Sequence, residues 1–177
     1  MSNLFKTSLR FVLFILLQVF LLDKIPPINE YIVPILYFLY ILWLPFNISK
    51  TQILFLSFFY GFVLDLFLKT PGLHAATCTL IAFFRPHIIH LLMPKETNEN
   101  NFLEPSISSM GFIPYMVYVL ILTIMHHFYL TLLEWISFGD FMFFILKLIA
   151  STGISMFLIL ITDMLFPRNI VSRSRFT

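Results

Sequence analysis

Few side chains in this sequence can do chemistry, and those few stand apart. His87 and His90 are three residues apart on one predicted helix, and His126 and His127 are adjacent on another. A metal site needs three or four converging ligands, and the single cysteine, Cys78, lies roughly two helical turns from His87. The histidines therefore read as hydrogen-bonding groups inside a bundle or beside headgroups, and neither a metal nor a cofactor is expected. With five glycines there is no Gly-rich phosphate loop, and no His-Glu-x-x-His occurs. An intramembrane enzyme would need a nucleophile with a base, paired acids or a metal cluster. The sequence offers only histidine pairs and isolated acids, so no enzymatic activity is expected.

The isolated charges are the sharper clue. In GFVLDLFLKTPGLHAA, residues 61–76, Asp65 stands inside an apolar run. An ionised carboxylate at mid-bilayer costs about 3 kcal/mol or more unless it is paired, protonated or near water. Lys69 is its i+4 neighbour in the favourable acid-before-base order, and His74 follows just across Thr70-Pro71-Gly72. The expectation is a charge pair stitching a tight helical hairpin, with a direct role in binding or transport as the alternative. Arg85 lies deeper, and Asp163 on the last apolar segment is its expected partner through snorkelling. A proton or ion path is the sharper alternative for that pair.

The elements that position these groups follow from composition. The 177 residues are 59% hydrophobic and 11% charged, with 23 phenylalanines, and the mean hydropathy is +0.93. Soluble domains carry about a quarter charged residues, so this chain cannot cover itself with a polar surface. It reads as an all-α, polytopic membrane helix bundle in a single transmembrane domain, 1–177. The net charge of +2 and the lack of a basic run point away from nucleic acid.

Proline, glycine and charged clusters divide the chain into about six transmembrane helices, over 9–25, 31–46, 52–69, 71–93, 112–134 and 141–166. Five is the alternative count. The first two segments are near the lower length limit for a spanning helix, and Pro34 and Pro45 fall near the ends of the second. Lys6 and Arg10 before an apolar run resemble a secretory signal. No small-x-small site follows, so the segment is expected to be a retained first span. Placing Lys6, Arg10, Lys50, Lys95, Arg168, Arg173 and Arg175 on one side leaves Lys24 and Lys69 on the other, with Arg85 and Lys147 within or beside spans. By the positive-inside rule both termini are then cytoplasmic. The loop 94–111 is polar, cytoplasmic and long, which makes it either a contact surface or a solvated linker. Small residues spaced four apart, Gly72/Ala76, Ala75/Thr79 and Cys78/Ala82, suit close helix packing in the fourth segment. Ala150, Ser151, Gly153 and Ser155 suggest the same for the sixth. The first segment, with Gln18 its main polar residue, looks peripheral or partner-facing.

Gly61-x-x-x-Asp65 followed by Pro71-Gly72-x-x-Ala75-Ala76 resembles the signature region of the rod shape-determining protein MreD family. The long loop ending EPSISSMGF is similar to versions from Bacteroidota. The resemblance covers nearly the whole chain. It implies a cytoplasmic (inner) membrane subunit of the machinery that elongates the lateral cell wall and maintains cell shape. Its implied partners are MreC, the actin-like MreB, the glycosyltransferase RodA and an elongation-specific transpeptidase, in a setting of membrane lipid. It also implies a fold similar to the S components of energy-coupling factor transporters. No catalytic residue is carried over; Gly61, Asp65, Lys69, Gly72, His74, Arg85 and Asp163 stand as structural or interaction candidates. The competing reading is a small-molecule-binding transporter component. The first segment, FVLFILLQVFLL, lacks the alanines that S components present to their transport partner.

Overall fold

The computed structural model describes residues 3–25, 31–93, 103–138, 140–166 and 168. Among these, five helical stretches are long and apolar enough to cross a membrane: Phe5–Lys24, Lys50–Leu68, Leu73–Leu92, Phe112–Trp135 and Phe141–Leu165. In chain order the helices are α1 (Asn3–Leu16), α2 (Leu39–Leu42), α3 (Lys50–Leu68), α4 (Leu73–Leu92), α5 (Ile107–Met110), α6 (Phe112–Phe138) and α7 (Phe141–Leu165). A π-helical turn, Leu17–Leu21, and a 3₁₀ turn, Leu22–Lys24, extend α1.

Local chemistry sets most of these boundaries. Ser49 and Gln52 form a reciprocal capping box at the start of α3. Asp140 caps α7, its carboxylate accepting from the amides of Met142 and Phe143. At the far end of α3, Lys69 takes the left-handed conformation (φ 58°) and Gly72 follows at φ 82°, closing the turn before α4. The long helices pack as antiparallel neighbours, α3 on α4, α4 on α6 and α6 on α7. One end of the bundle, here the hairpin end, holds the α3–α4 and α6–α7 turns. The other, the basal end, holds the start of α3, the end of α4 and the start of α6.

The segment 31–46, expected as a spanning helix, is instead an unwound passage through the interior with a single helical turn, α2. Its residues Ile35 to Leu44 are buried. Tyr31 meets the Phe143 ring near the hairpin end, and Phe46 donates its amide to the Leu103 carbonyl at the basal end. Length explains the correction. Sixteen residues make only about 24 Å of α-helix, short of the roughly 30 Å hydrocarbon core, whereas extended chain covers that distance easily. Pro34 also removes a helical donor early in the run.

An unwound chain leaves its amides and carbonyls unpaired, and the surrounding helices supply partners. Gln18 on the π turn of α1 accepts from the Leu36 amide at 3.0 Å and donates to the Pro34 carbonyl at 3.2 Å. Ser151 accepts from Val33 N and donates to Tyr31 O, while Ser155 accepts from Ile35 N. Further along, Tyr60 donates to the Tyr37 carbonyl and Tyr118 to that of Leu42. Aromatic packing reinforces the passage: Tyr40 stacks on Tyr60 at 4.6 Å, and Phe14 meets Trp43 edge-on at 5.5 Å. Ser151 and Ser155 thus face the passage rather than a close helix crossing, and Gly153 has open space around it. The first helix, expected to be peripheral or partner-facing, turns Leu9, Val12, Leu13 and Phe20 outward but buries Phe14, Ile15, Gln18 and Val19 in the core.

Replacing Gln18 by Leu strips the buried Leu36 amide and the half-buried Pro34 carbonyl of their partners. The expected loss is about 2–4 kcal/mol, read as a lower thermal unfolding midpoint of the purified chain in detergent. An unchanged midpoint would remove Gln18 from this role.

Candidate functional site

The residues singled out in 61–76 come together as one joint. Asp65 lies three residues from the end of α3, where the helix turns its carboxylate inward beneath the start of α4. Oδ1 accepts from the His74 amide at 2.9 Å and the Thr70 hydroxyl at 3.0 Å, and Oδ2 from the Ala75 amide at 3.0 Å. Gly72 begins α4 without a side chain to cap it, so Asp65 does from the preceding helix what an N-cap residue does from its own. The carboxylate also lies at the positive end of the α4 dipole, a favourable place for negative charge.

His74 Nδ1 lies 2.9 Å from Oδ1 and 2.9 Å from the Thr70 hydroxyl, so one ring nitrogen meets both groups. The expected Asp65–Lys69 pair is not formed. Lys69 is exposed, and it contributes its backbone amide to the Asp65 carbonyl as the helix closes. The left-handed turn at Lys69 carries its side chain outward, and the α4 amides offer the carboxylate fixed donors whose use costs no lysine side-chain entropy.

Gly61 sets how near the two helices lie. A Cβ there would fall 2.6 Å from Ala75 Cα and closer still to the His74 carbonyl oxygen. These are backbone atoms, so nothing flexible can move aside. Of the small residues expected to pack closely on α4, Ala75 lies at this crossing, whereas Gly72 has open space around it.

Beyond His74 the polar groups continue along the passage. The Tyr37 ring meets His74 edge-on at 5.3 Å, and the Tyr37 hydroxyl lies 2.8 Å from His126 Nε2. His126 stacks on Phe38 at 4.3 Å, and His127 Nε2 lies 2.9 Å from the Ser155 hydroxyl. The adjacent histidines are thus buried supports of the passage. His87 and His90 lie on an exposed face, with His87 Nδ1 3.1 Å from the Phe83 carbonyl. Among the described residues no group of three or more metal-ligating side chains converges.

At the basal end the expected Arg85–Asp163 pair is replaced by two separate arrangements. Arg85 donates Nη2 to the Leu44 carbonyl and Nε to the Tyr118 hydroxyl at 3.1 Å. Asp163 binds Arg168 at 2.6 Å and accepts from the Tyr115 hydroxyl at 2.8 Å. Arg168, only five residues on, folds back to Asp163 over a shorter path than Arg85 could follow from another helix. It also donates to the Pro105 carbonyl at 2.6 Å, and its guanidinium lies 4.1 Å from the Trp43 ring centroid. Arg10 approaches the same indole at 5.3 Å and pairs with Glu104 at 2.7 Å. The part of the 94–111 loop that is described, 103–111, is therefore fastened to the bundle, while 94–102 lies outside the described residues. So do Lys95, Arg173 and Arg175 of the expected basic side.

The pattern in sequence did not announce Gln18, Tyr37, Tyr60, Tyr118 or Arg168 as organising residues. The signal that bears on them is Pro34, which marks a run unable to satisfy its own backbone. Compared with family models, curated proteins and solved structures, the chain matches none.

Asp65→Ala orphans two buried amides and is expected to cost on the order of 2–4 kcal/mol, with Asp65→Asn losing about half of that. Gly61→Ala is expected to cost about 1–3 kcal/mol or more through overpacking against backbone, whereas Gly153→Ala, in open space, should leave the midpoint unchanged. Thermal unfolding followed by circular dichroism in one detergent ranks these variants, and equal midpoints for Gly61→Ala and Gly153→Ala would contradict the close crossing.

Proposed function

We propose that this chain is a non-enzymatic, multi-pass subunit of the bacterial cell-elongation (rod) complex, of the MreD kind. In this reading it links MreB and MreC to peptidoglycan synthesis by RodA and the elongation-specific transpeptidase. The five long helices and the unwound passage then make six crossings of the cytoplasmic membrane. The basal end, with Arg10, Lys50 and Arg168, faces the cytoplasm together with both ends of the described chain.

The observation that carries the reading is the α3–α4 joint. The residues behind the family resemblance, Gly61, Asp65, Pro71 and Gly72, sit where two helices are locked at fixed spacing. On its outer side α3 presents Phe55, Phe58, Phe59 and Phe62, a ridge suited to partner spans within the bilayer. Gln18, Tyr60, Tyr118, Ser151 and Ser155 hydrogen-bond to the chain's own backbone, which suits a rigid scaffold.

One feature favours a second reading, a small-molecule-binding membrane component of a transporter. A cleft of about 400 Å³ opens between α6 and α7 at the hairpin end, lined by Thr131, Glu134, Trp135, Asp140, Phe143 and Lys147. Glu134 and Lys147 are themselves paired there at 2.6 Å.

Affinity purification in mild detergent, from a host lacking its own copy, separates the two. The scaffold reading expects MreC and RodA in the recovered material, and the Gly61→Ala chain is expected to recover several-fold less of them than the native one. Recovery of an ATPase pair instead would favour the transporter component. Reporter fusions at the two termini should both give cytoplasmic signals, and opposite signals would overturn the six-crossing arrangement.

A further inference from the structure

Arg85 presents an unresolved charge. Its guanidinium is always protonated and only 3% exposed. Its two bonds go to neutral oxygens, the Leu44 carbonyl and the Tyr118 hydroxyl. Among the described residues it has no carboxylate partner. A buried cation without a counter-charge is costly, so an anion beside it would be strongly favoured.

Arg85 forms part of the wall of a cleft of about 450 Å³ at the basal end. The other ionisable groups in that wall are Lys50 on the first turn of α3, and His87 and His90 on α4; no carboxylate lines it among the described residues. The positive end of the α3 dipole and the negative end of the α4 dipole both meet this cleft, so its net positive field comes from the side chains. Phe46, Ile53 and Ile89 give the cleft apolar sides. A fixed buried guanidinium, a mobile ammonium on an exposed first turn and apolar walls match a phosphodiester attached to acyl chains. Basic pockets between membrane helices bind such headgroups.

We propose that this cleft binds the phosphate of an anionic phospholipid. Arg85 and Lys50 supply the charge, and His87 and His90 supply donors at the rim. This site rests only on the chain lying in a membrane, and it stands whichever functional reading holds.

The purified full chain in neutral detergent is titrated with phosphatidylglycerol, with phosphatidylcholine and with inorganic phosphate, and thermal unfolding is followed. Phosphatidylglycerol is expected to raise the midpoint and phosphatidylcholine to leave it in place. The Lys50→Gln/His90→Gln double variant, changed at two exposed positions, is expected to keep its helix content. It should need about tenfold more phosphatidylglycerol for the same rise. An equal response to the two lipids, or an undiminished response in the double variant, would overturn the proposal. If inorganic phosphate reproduces the rise or displaces the lipid, the ligand is a soluble anion and the lipid assignment fails.

Discussion

In surroundings that offer no water, every amide and carbonyl must find a partner in the protein, and each one left without costs several kcal/mol. A helix meets this condition from within. The passage from Tyr31 to Phe46 does not, and the rest of the bundle is arranged around its needs. Gln18 from α1, Tyr60 from α3, Arg85 from α4, Tyr118 from α6 and Ser151 and Ser155 from α7 each reach inward to a backbone group of this one segment. Every long helix thus contributes at least one polar side chain to a core that is otherwise aliphatic and aromatic. Non-helical backbone survives at this depth because protein surrounds it on all sides.

The same rule operates at the hairpin end in a compact form. The start of α4 has free amides and no capping side chain of its own, so a carboxylate from α3 serves them. That solution demands closeness, and Gly61 permits it by bringing helix backbones to a separation that any other residue would prevent. Asp65 and Gly61 are therefore parts of one device, one satisfying donors and the other setting the distance at which this is possible. At the basal end two arginines crowd the Trp43 indole and fasten the 103–111 stretch against it, so the chain's two described ends converge on one aromatic ring.

Much of the architecture was legible in the sequence because its signals are local. Apolar length marked the five long helices, Thr70-Pro71-Gly72 marked the hairpin, and small residues marked the α3–α4 crossing. The errors share a cause. Asp65 and Lys69, like Arg85 and Asp163, were matched by opposite charge, yet in each case backbone groups or a nearer side chain competed better. Asp65 had amides at the mouth of the next helix, and Asp163 had Arg168 five residues away. Tyr37, Tyr60 and Tyr118 read as ordinary aromatic residues because a hydroxyl that serves a distant carbonyl leaves no periodic trace. The passage reads as a helix in sequence because hydropathy reports burial without reporting backbone conformation.

The passage also imposes an order on how the molecule can be made. Val33 and Ile35 find their acceptors in Ser151 and Ser155, which are separated from them by 118 and 120 residues. During synthesis those serines do not yet exist when the second apolar run leaves the ribosome, and the run cannot settle in lipid as the bare extended strand it will become. Until the last helix arrives, it needs shelter from an insertion machine, a wet interface or a transient helix. Biogenesis therefore closes from the C-terminal side, and a chain cut short before Ser151 would leave the centre of the bundle without the hydroxyls that hold it.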